Sequence, residues 1–372
     1  WIFSQAVDRV EPPNPVPGER VTVRDSAGSL IGCGYYNPAT TIAVRMLAWG
    51  EVLAFAEIIE RRLTNALALR ARFISDDTDC YRLINGDGDG LSGTVVDRYG
   101  DILVVQLLTA GADRMRSELT QALIRYLAPR SIFERSRGAV RKQEGLPDSM
   151  GVLAGEPVPE TTVVENGLKI TVDFEQGQKT GYFLDQRENR LLVRNLAKGT
   201  RVLDAYCYAA GFSMAALSGG ASRVTALDTS AQALEWGRRN LESKSLAGRA
   251  VELVHADALE YMAKTNARFD LIILDPPPLA RTRGDRERAG RMYVELNARA
   301  MKLLAPGGHL MTFSCSQHFV GEDFVRAVRI AQTAADRKFR TLRRLGPGPD
   351  HPMLLGHPEG EYLTGLLLRD LS

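Results

Sequence analysis

The chain has 372 residues, a formal net charge of +2, 44% hydrophobic residues and 25% charged residues. This is ordinary globular composition with enough apolar mass for a large core, which excludes intrinsic disorder, a collagen-like repeat and a disulfide scaffold. Four scattered cysteines, Cys33, Cys80, Cys207 and Cys315, form no CxxC pair and no Cys/His cluster. That spacing argues against a structural zinc site, so no metal is expected, and it suits free thiols in a reducing compartment.

The chain reads as three blocks. Residues 1–72 open with a Pro-rich loop, Glu11 to Gly18. Short alternating stretches around Val21–Val23, Leu30–Ile31 and Ala43–Leu47 follow, separated by turns, so a small β-domain is predicted. From Glu51 to Arg70 apolar residues recur at three- and four-residue steps and predict a helix. Residues 73–180 hold the turn cluster Asn85–Gly90, strands near 93–97 and 102–108, one helix over 112–127, and further strands near 132–134 and 168–174. This block reads as a small α+β domain. Residues 181–372 alternate apolar strand runs with helices. Strands are expected at 201–204, 224–228, 250–255, 269–275 and 309–314, and the implied class is α/β with a doubly wound, mostly parallel sheet.

The longest uncharged stretch, Ala205 to Ser222, holds three glycines and three serines, too polar for a membrane span. No leader is read at the start, and a cytoplasmic location is expected.

Three acids fall at successive strand ends in the third block: Asp204, Asp228 and Asp257. A carboxylate in the position of Asp228 suits the two hydroxyls of a ribose, and Asp257 is placed to meet an adenine edge. The loop between Asp204 and the helix at Gly211 lacks GxGxxG and carries Tyr206, Cys207 and Tyr208. A dinucleotide needs those glycines for close approach of its pyrophosphate. S-adenosylmethionine has no phosphate, so the loop favours a methyltransferase over a nicotinamide oxidoreductase. A lone acid at a strand end is equally a helix N-cap; the recurrence of three favours the cofactor.

The strand at 269–274 ends in Asp275-Pro276-Pro277, where proline forces the chain out of the sheet as a rigid arm. The next strand ends in Ser314-Cys315-Ser316. Ligands bind at the carboxyl edge of such sheets, so Cys315 is a candidate nucleophile there. A lone cysteine is otherwise a buried core residue, the reading given to Cys33 and Cys80; Cys207 is read as packing beside the cofactor.

Gly177–Arg187 (GQKTGYFLDQR), Asp275-Pro276-Pro277, Ser314-Cys315-Ser316, and Asp350-His351-Pro352 with Pro358-Glu359-Gly360 and Tyr362-Leu363 resemble RNA 5-methylcytidine methyltransferases of the RlmI type. The resemblance extends to Gly34–Pro38 in the first block. It implies an N-terminal PUA RNA-binding domain, a central α+β domain and a Rossmann-like methyltransferase domain. It also implies a cytidine of large-subunit (23S) ribosomal RNA as substrate. On that reading Cys315 is the nucleophile, and Asp275 supports protonation of the ring as Cys315 adds. Phe183, Asp185, Gln186, Asp204, Tyr206, Gly211, Asp228 and Asp257 are expected at the cofactor, and Pro276, Pro277, Arg281 and Arg283 at the RNA. The family usually has paired glycines in the cofactor loop where this chain has Ala210-Gly211, and Pro278 adds a third proline to the arm.

Two basic stretches are candidates for RNA backbone. Arg130 to Lys142 holds five basic residues against Glu134; Arg281 to Lys302 holds seven against Asp285, Glu287 and Glu295. Phe183, Tyr206, Tyr208 and Tyr293 are candidate walls for an unstacked base. His351 and Glu359 are candidates for the base that removes the carbon-5 proton, each weighed against a structural turn. A methyltransferase acting on another RNA base and a non-catalytic RNA-binding protein remain the competing readings. The protein is expected as a monomer or homodimer.

Overall fold

The computed structural model describes residues 1–242, 246, 248–280, 282–316, 318–319 and 321–372. The chain forms two compact units. The first comprises Trp1–Val164, Val172–Leu184 and Pro349–Gly356; the second comprises Glu165–Thr171, Asp185–Gly348 and His357–Ser372.

The first unit gathers the first block and, apart from residues 165–171, the second block of the sequence. A four-stranded antiparallel sheet runs in the order Ile2–Phe3, Ile42–Trp49, Leu30–Tyr36, Glu19–Arg24. A five-stranded sheet follows the order Cys80–Asn85, Thr94–Tyr99, Ile102–Leu107, Ser131–Ser136, Ser149–Gly155. Ile58, Ile59, Leu63 and Ala66 of the helix Phe55–Phe73 pack in the core with Leu47 of the first sheet and with Leu83, Val96 and Leu103 of the second. The helix expected over 112–127 is two helices, Ala110–Arg114 and Arg116–Leu127, broken at Met115. Thr109 caps the first by accepting from the Ala112 N–H.

Only part of the basic stretch at 130–142 is open to RNA: Arg130, Arg137 and Lys142 are exposed. Arg135 and Arg141 are buried, and Arg141 donates to the Leu107 carbonyl and to Asp113. Arg130 pairs with Asp101. The Arg141 guanidinium can be buried because its three nitrogens donate to the Pro147 carbonyl, the Leu107 carbonyl and the Asp113 carboxylate.

The second unit is built on one seven-stranded sheet. Its elements are α1 (Arg187–Leu196), β1 (Arg201–Ala205), α2 (Gly211–Ser218), β2 (Arg223–Asp228), α3 (Ala231–Leu241), β3 (Val251–His255), α4 (Ala258–Lys264), β4 (Phe269–Leu274), α5 (Arg286–Leu303), β5 (Leu304–Ser314), α6 (Glu322–Ala334), β6 (Phe339–Leu345) and β7 (Thr364–Asp370). The order across the sheet is β3-β2-β1-β4-β5-β7-β6. Strands β1 to β5 pair in parallel, and β7 pairs antiparallel with both β5 and β6. The strand order reverses direction at β1, which places the switch point between β1 and β4. β1 and β4 are buried almost throughout, as strands covered on both faces must be.

Helix starts follow local chemistry. Ser230 accepts from the Ala233 N–H to cap α3, and Asp257 accepts from the Glu260 N–H to cap α4. One buried ion pair anchors α1: Arg190 makes two 2.6 Å hydrogen bonds to Glu165, and both side chains are about 5% exposed. Removing one member leaves the other charge buried and unmatched. Glu165→Ala is therefore expected to cost about 3–5 kcal/mol, read as a lowered urea-unfolding midpoint, whereas an exposed pair such as Arg223–Glu252 should cost under about 1 kcal/mol.

Candidate active site at the carboxyl edge of the sheet

Parallel pairing brings the singled-out strand ends to one edge. Ala205 of β1 is level with Leu227 of β2 and Leu274 of β4, and Leu274 is level with Thr312 of β5. Asp228 and Asp275 therefore emerge one residue beyond that level, and Cys315 three residues beyond.

The loop from β1 to α2 is held in an uncommon conformation. Tyr206, Tyr208 and Ala210 all have positive φ, at 67°, 49° and 62°. The loop is fastened on several sides. The Cys207 N–H donates to the Leu227 carbonyl at 2.8 Å, the Tyr208 N–H to Asp228 Oδ2 at 2.9 Å, and the Asn240 amide to the Ala209 carbonyl at 3.2 Å. Left-handed non-glycine residues cost energy and cluster at functional sites. Asp228 also accepts from the Ser230 N–H at 2.8 Å through its other oxygen. Both oxygens face the loop and the α3 start, and a carboxylate with two such bonds retains acceptor capacity.

Asp204 is buried beneath the loop. Its Oδ2 accepts from Ser213 Oγ at 2.6 Å, and its Oδ1 has no partner among the described residues. Burial pushes its carboxyl up to about 6, opposed by the bonds from Ser213. Burial, then Asp204 and Asp228, raises the Cys207 thiol well above its ordinary range. A thiol held protonated is a poor nucleophile, which agrees with Cys207 as packing.

Asp275 stands at the end of β4. Its Oδ2 accepts from Gln186 Nε2 at 3.0 Å, Gln186 Oε1 accepts from Asn189 Nδ2 at 2.6 Å, and Asn189 Nδ2 also donates to the Gly346 carbonyl at 3.0 Å. Gln186, expected at the cofactor, thus donates to the Asp275 carboxylate. Asn189 was not singled out; the i, i+3 spacing from Gln186 across the start of α1 was its one signal. The neighbouring Asp185 accepts from the Tyr362 hydroxyl at 2.9 Å. Two separated motifs, Asp185-Gln186-Arg187 and Tyr362-Leu363, meet there.

Cys315 is partly exposed, and its Sγ lies 3.5 Å from the Pro276 carbonyl. Its flanking serines are buried and act as clamps. Ser316 Oγ accepts from the Leu279 and Ala280 N–H groups at 2.9 and 3.2 Å, tying the proline arm to the end of β5. Ser314 Oγ donates to the Phe319 carbonyl and accepts from the Tyr293 hydroxyl at 2.9 Å. Tyr293 is fully buried, stacks on Phe319 at 5.2 Å between centroids, and has its phenol pushed up to about 12 by burial. It belongs to the core and cannot serve as a base-stacking wall.

Gly211 is the first residue of α2, Tyr206 is partly buried, Pro276 is buried and Pro277 is exposed. Phe183 belongs to the first unit, where the Lys179 ammonium lies 4.6 Å from its ring centroid. His351 is also in the first unit, buried next to Asp350, whose carboxylate accepts from the Arg82 N–H; that is a structural turn. Arg281 and the Arg283 side chain lie outside the described residues. Along α5, Arg286 pairs with Asp323, Arg288 with Asp285 and Arg299 with Glu295, so this basic stretch is mostly an ion-paired face. No group of three or more His, Cys, Asp or Glu side chains among the described residues could hold a metal.

A sheet of this order, an acid at the end of β2 and a strained loop without a phosphate cradle define the class I methyltransferase arrangement. The S-adenosylmethionine-dependent methyltransferase pattern matches residues 87–358, and a PUA-like domain pattern matches residues 1–49. "Ribosomal RNA large subunit methyltransferase I" of Photobacterium profundum is 40% identical, over 98% of this chain and 94% of that protein. The protein of the same description from Erwinia tasmaniensis is 38% identical, over 99% and 94%. Among solved structures, SMU.776, described as a methyltransferase complexed with SAH, superposes with a TM-score of 0.83 at 22% identity, covering 96% of this chain and 93% of that one. The chain belongs to the S-adenosylmethionine-dependent methyltransferases, and within them to the ribosomal RNA large subunit methyltransferase I family.

The departure from paired glycines has a local cost. Ala210 is buried with φ 62° and ψ 29°, a conformation glycine adopts freely. Ala210→Gly is expected to stabilise the folded chain by about 1 kcal/mol, seen as a raised urea-unfolding midpoint; a lowered midpoint would show that the methyl group's packing outweighs the strain.

Proposed function

We propose that this protein methylates carbon 5 of a cytidine in large-subunit ribosomal RNA, using S-adenosylmethionine as donor and Cys315 as nucleophile. The observation that carries the reading is the juxtaposition of the Cys315 thiol and the Asp275-Pro276 arm at one sheet edge, 3.5 Å from Sγ to the Pro276 carbonyl. The names of the relatives support the ribosomal substrate, and the PUA-like match supports contact with RNA. Among the described residues no helix is long and apolar enough to cross a membrane; the proposed location is the cytoplasm.

The residues present fit the cofactor. Asp204 offers a buried oxygen without a described partner, and Asp228 offers acceptor capacity suited to ribose hydroxyls. Tyr206 and Gly211 bound the loop between them. Asp257 spends one oxygen on capping α4 and keeps the other for an adenine edge. When bound, S-adenosylmethionine supplies an electrophilic methyl group.

The chain's own residues must make carbon 5 nucleophilic. The Cys315 thiolate adds to carbon 6, forming an S–C6 bond and leaving carbon 5 enamine-like. Asp275 holds the N3 and amino edge of the base and supports the proton that N3 takes up as sulfur adds. Gln186 and Asn189 fix the direction in which that carboxylate points. After carbon 5 carries its methyl group, water takes its proton, the S–C6 electron pair returns to sulfur as thiolate, and N3 gives back its proton through Asp275, which restores the ring. Pro276 and Pro277 keep the arm rigid beside the reacting ring.

Asp228→Ala is expected to raise the dissociation constant for S-adenosylhomocysteine about a hundredfold, since each hydrogen bond to a charged acceptor is worth roughly 1.5–3 kcal/mol. Calorimetry showing an unchanged constant would remove Asp228 from the cofactor site.

Cys315→Ala is expected to abolish methyl transfer while the protein still folds and binds S-adenosylhomocysteine. RNA carrying 5-fluorocytidine sharpens the test, because fluorine cannot leave as a proton does. The unaltered protein should form a denaturant-resistant adduct that depends on S-adenosylmethionine, and the variant should form none. An adduct mapping to Cys207, or carbon-5 methylation by the variant, would overturn the mechanism. Methylation at another base position would replace it with the competing enzyme reading.

A further inference from the structure

Strand β6 forms the outer edge of the seven-stranded sheet and is almost wholly exposed. It carries Arg340, Arg343 and Arg344 with no acidic residue. Edge strands commonly carry charge against aggregation, and that function needs no particular face. Here the arginines are sorted by face.

Arg340 lies directly opposite Arg369 of β7, and Arg369 lies opposite His309 of β5. Directly opposed residues point to the same face, so His309, Arg369 and Arg340 form one row across three strands. The register shifts between Thr341 and Arg343. Regular alternation would put Leu342 on the face of Arg340; the bulge puts Arg343 there instead, opposite Leu367. Arg344 falls on the other face and pairs with Glu322 at 2.8 Å. Arg340, Arg343 and Arg369 are exposed, and none of their side chains has a hydrogen bond or ion pair with any described residue. Arg369 also helps to depress the pKa of His309, after burial. Like charges set opposite one another destabilise a sheet unless something external compensates them.

We infer that Arg340, Arg343 and Arg369 form an RNA-backbone docking surface on the sheet edge, separate from the cofactor loop and the proline arm. Charge complementarity selects a polyanion, and three guanidinium forks on one face of two adjacent strands suit the phosphate oxygens of an RNA backbone. The inference rests on the RNA substrate proposed above. The bulge decides which arginine joins that face: Arg343, without an acidic partner, in place of Arg344, which turns toward Glu322.

The test uses the full chain, a transcribed fragment of large-subunit ribosomal RNA and a salt titration. The Arg340→Gln/Arg343→Gln/Arg369→Gln variant should bind RNA at least about tenfold more weakly near 0.1 M salt, and the slope of log affinity against log salt should fall by about 2–3. Its affinity for S-adenosylhomocysteine should not change. Arg344→Gln, on the ion-paired face, should leave the slope unaltered. Should the triple glutamine variant misfold, Arg340→Glu with Arg369→Glu keeps the edge charged and should weaken RNA binding further. An unaltered slope in a folded variant overturns the surface while leaving the cytidine methyltransferase reading intact. Failure of the unaltered protein to bind the RNA overturns that reading first. Competition by polyglutamate as effective as by RNA of equal charge would reassign the surface to an acidic polypeptide and overturn the RNA assignment.

Discussion

The parallel pairing of β1, β4 and β5 is the constraint on which the site depends. Because these strands run the same way, their carboxyl ends share one edge: Asp275 and Cys315 leave the sheet there and Asp204 is the next-to-last residue of β1, although the three are spread over more than a hundred residues. Everything added at that edge is fastening. Ser316 ties the proline arm to the end of β5, Tyr293 braces both serines, and Gln186 fixes Asp275. The thiol needs no strained geometry of its own, because the residues on either side of it are pinned.

The two cysteines near the edge show how burial separates roles that sequence position alone leaves close. Cys207 is buried within the loop, next to two carboxylates, in surroundings that raise its thiol well above the ordinary range. Cys315 is partly exposed beyond the end of β5, at the lip of the site. The same edge thus holds an inert thiol against the loop and an accessible one against the proline arm.

Much of this was legible in the sequence, for identifiable reasons. Strands β1 to β4 announce themselves as apolar runs, and proline after Asp275 marks where the fourth must end. The acids at strand ends were legible as a recurrence. What escaped depended on tertiary partners. Gln186 reads as a polar residue among others, and only its distance to Asp275 reveals its work. Arg135 and Arg141 look like a basic patch because charge in a sequence says nothing of burial; their partners are backbone carbonyls, which no motif encodes. Strand β6 shows no alternation, since a bulge interrupts its period and its exposed faces accept arginine on both sides.

The bond from Asn189 to the Gly346 carbonyl has a mechanical corollary. Gly346 is the residue immediately after β6, so the outer rim of the sheet and the carboxylate of Asp275 are joined by three hydrogen bonds in series. Hydrogen bonds of this kind hold donor and acceptor within about 2.7–3.2 Å of each other. A displacement of the rim therefore has little slack to disappear into. It must either break the chain at one joint or swing the carboxylate, which makes Asn189 the hinge pin between the edge of the sheet and its reacting end.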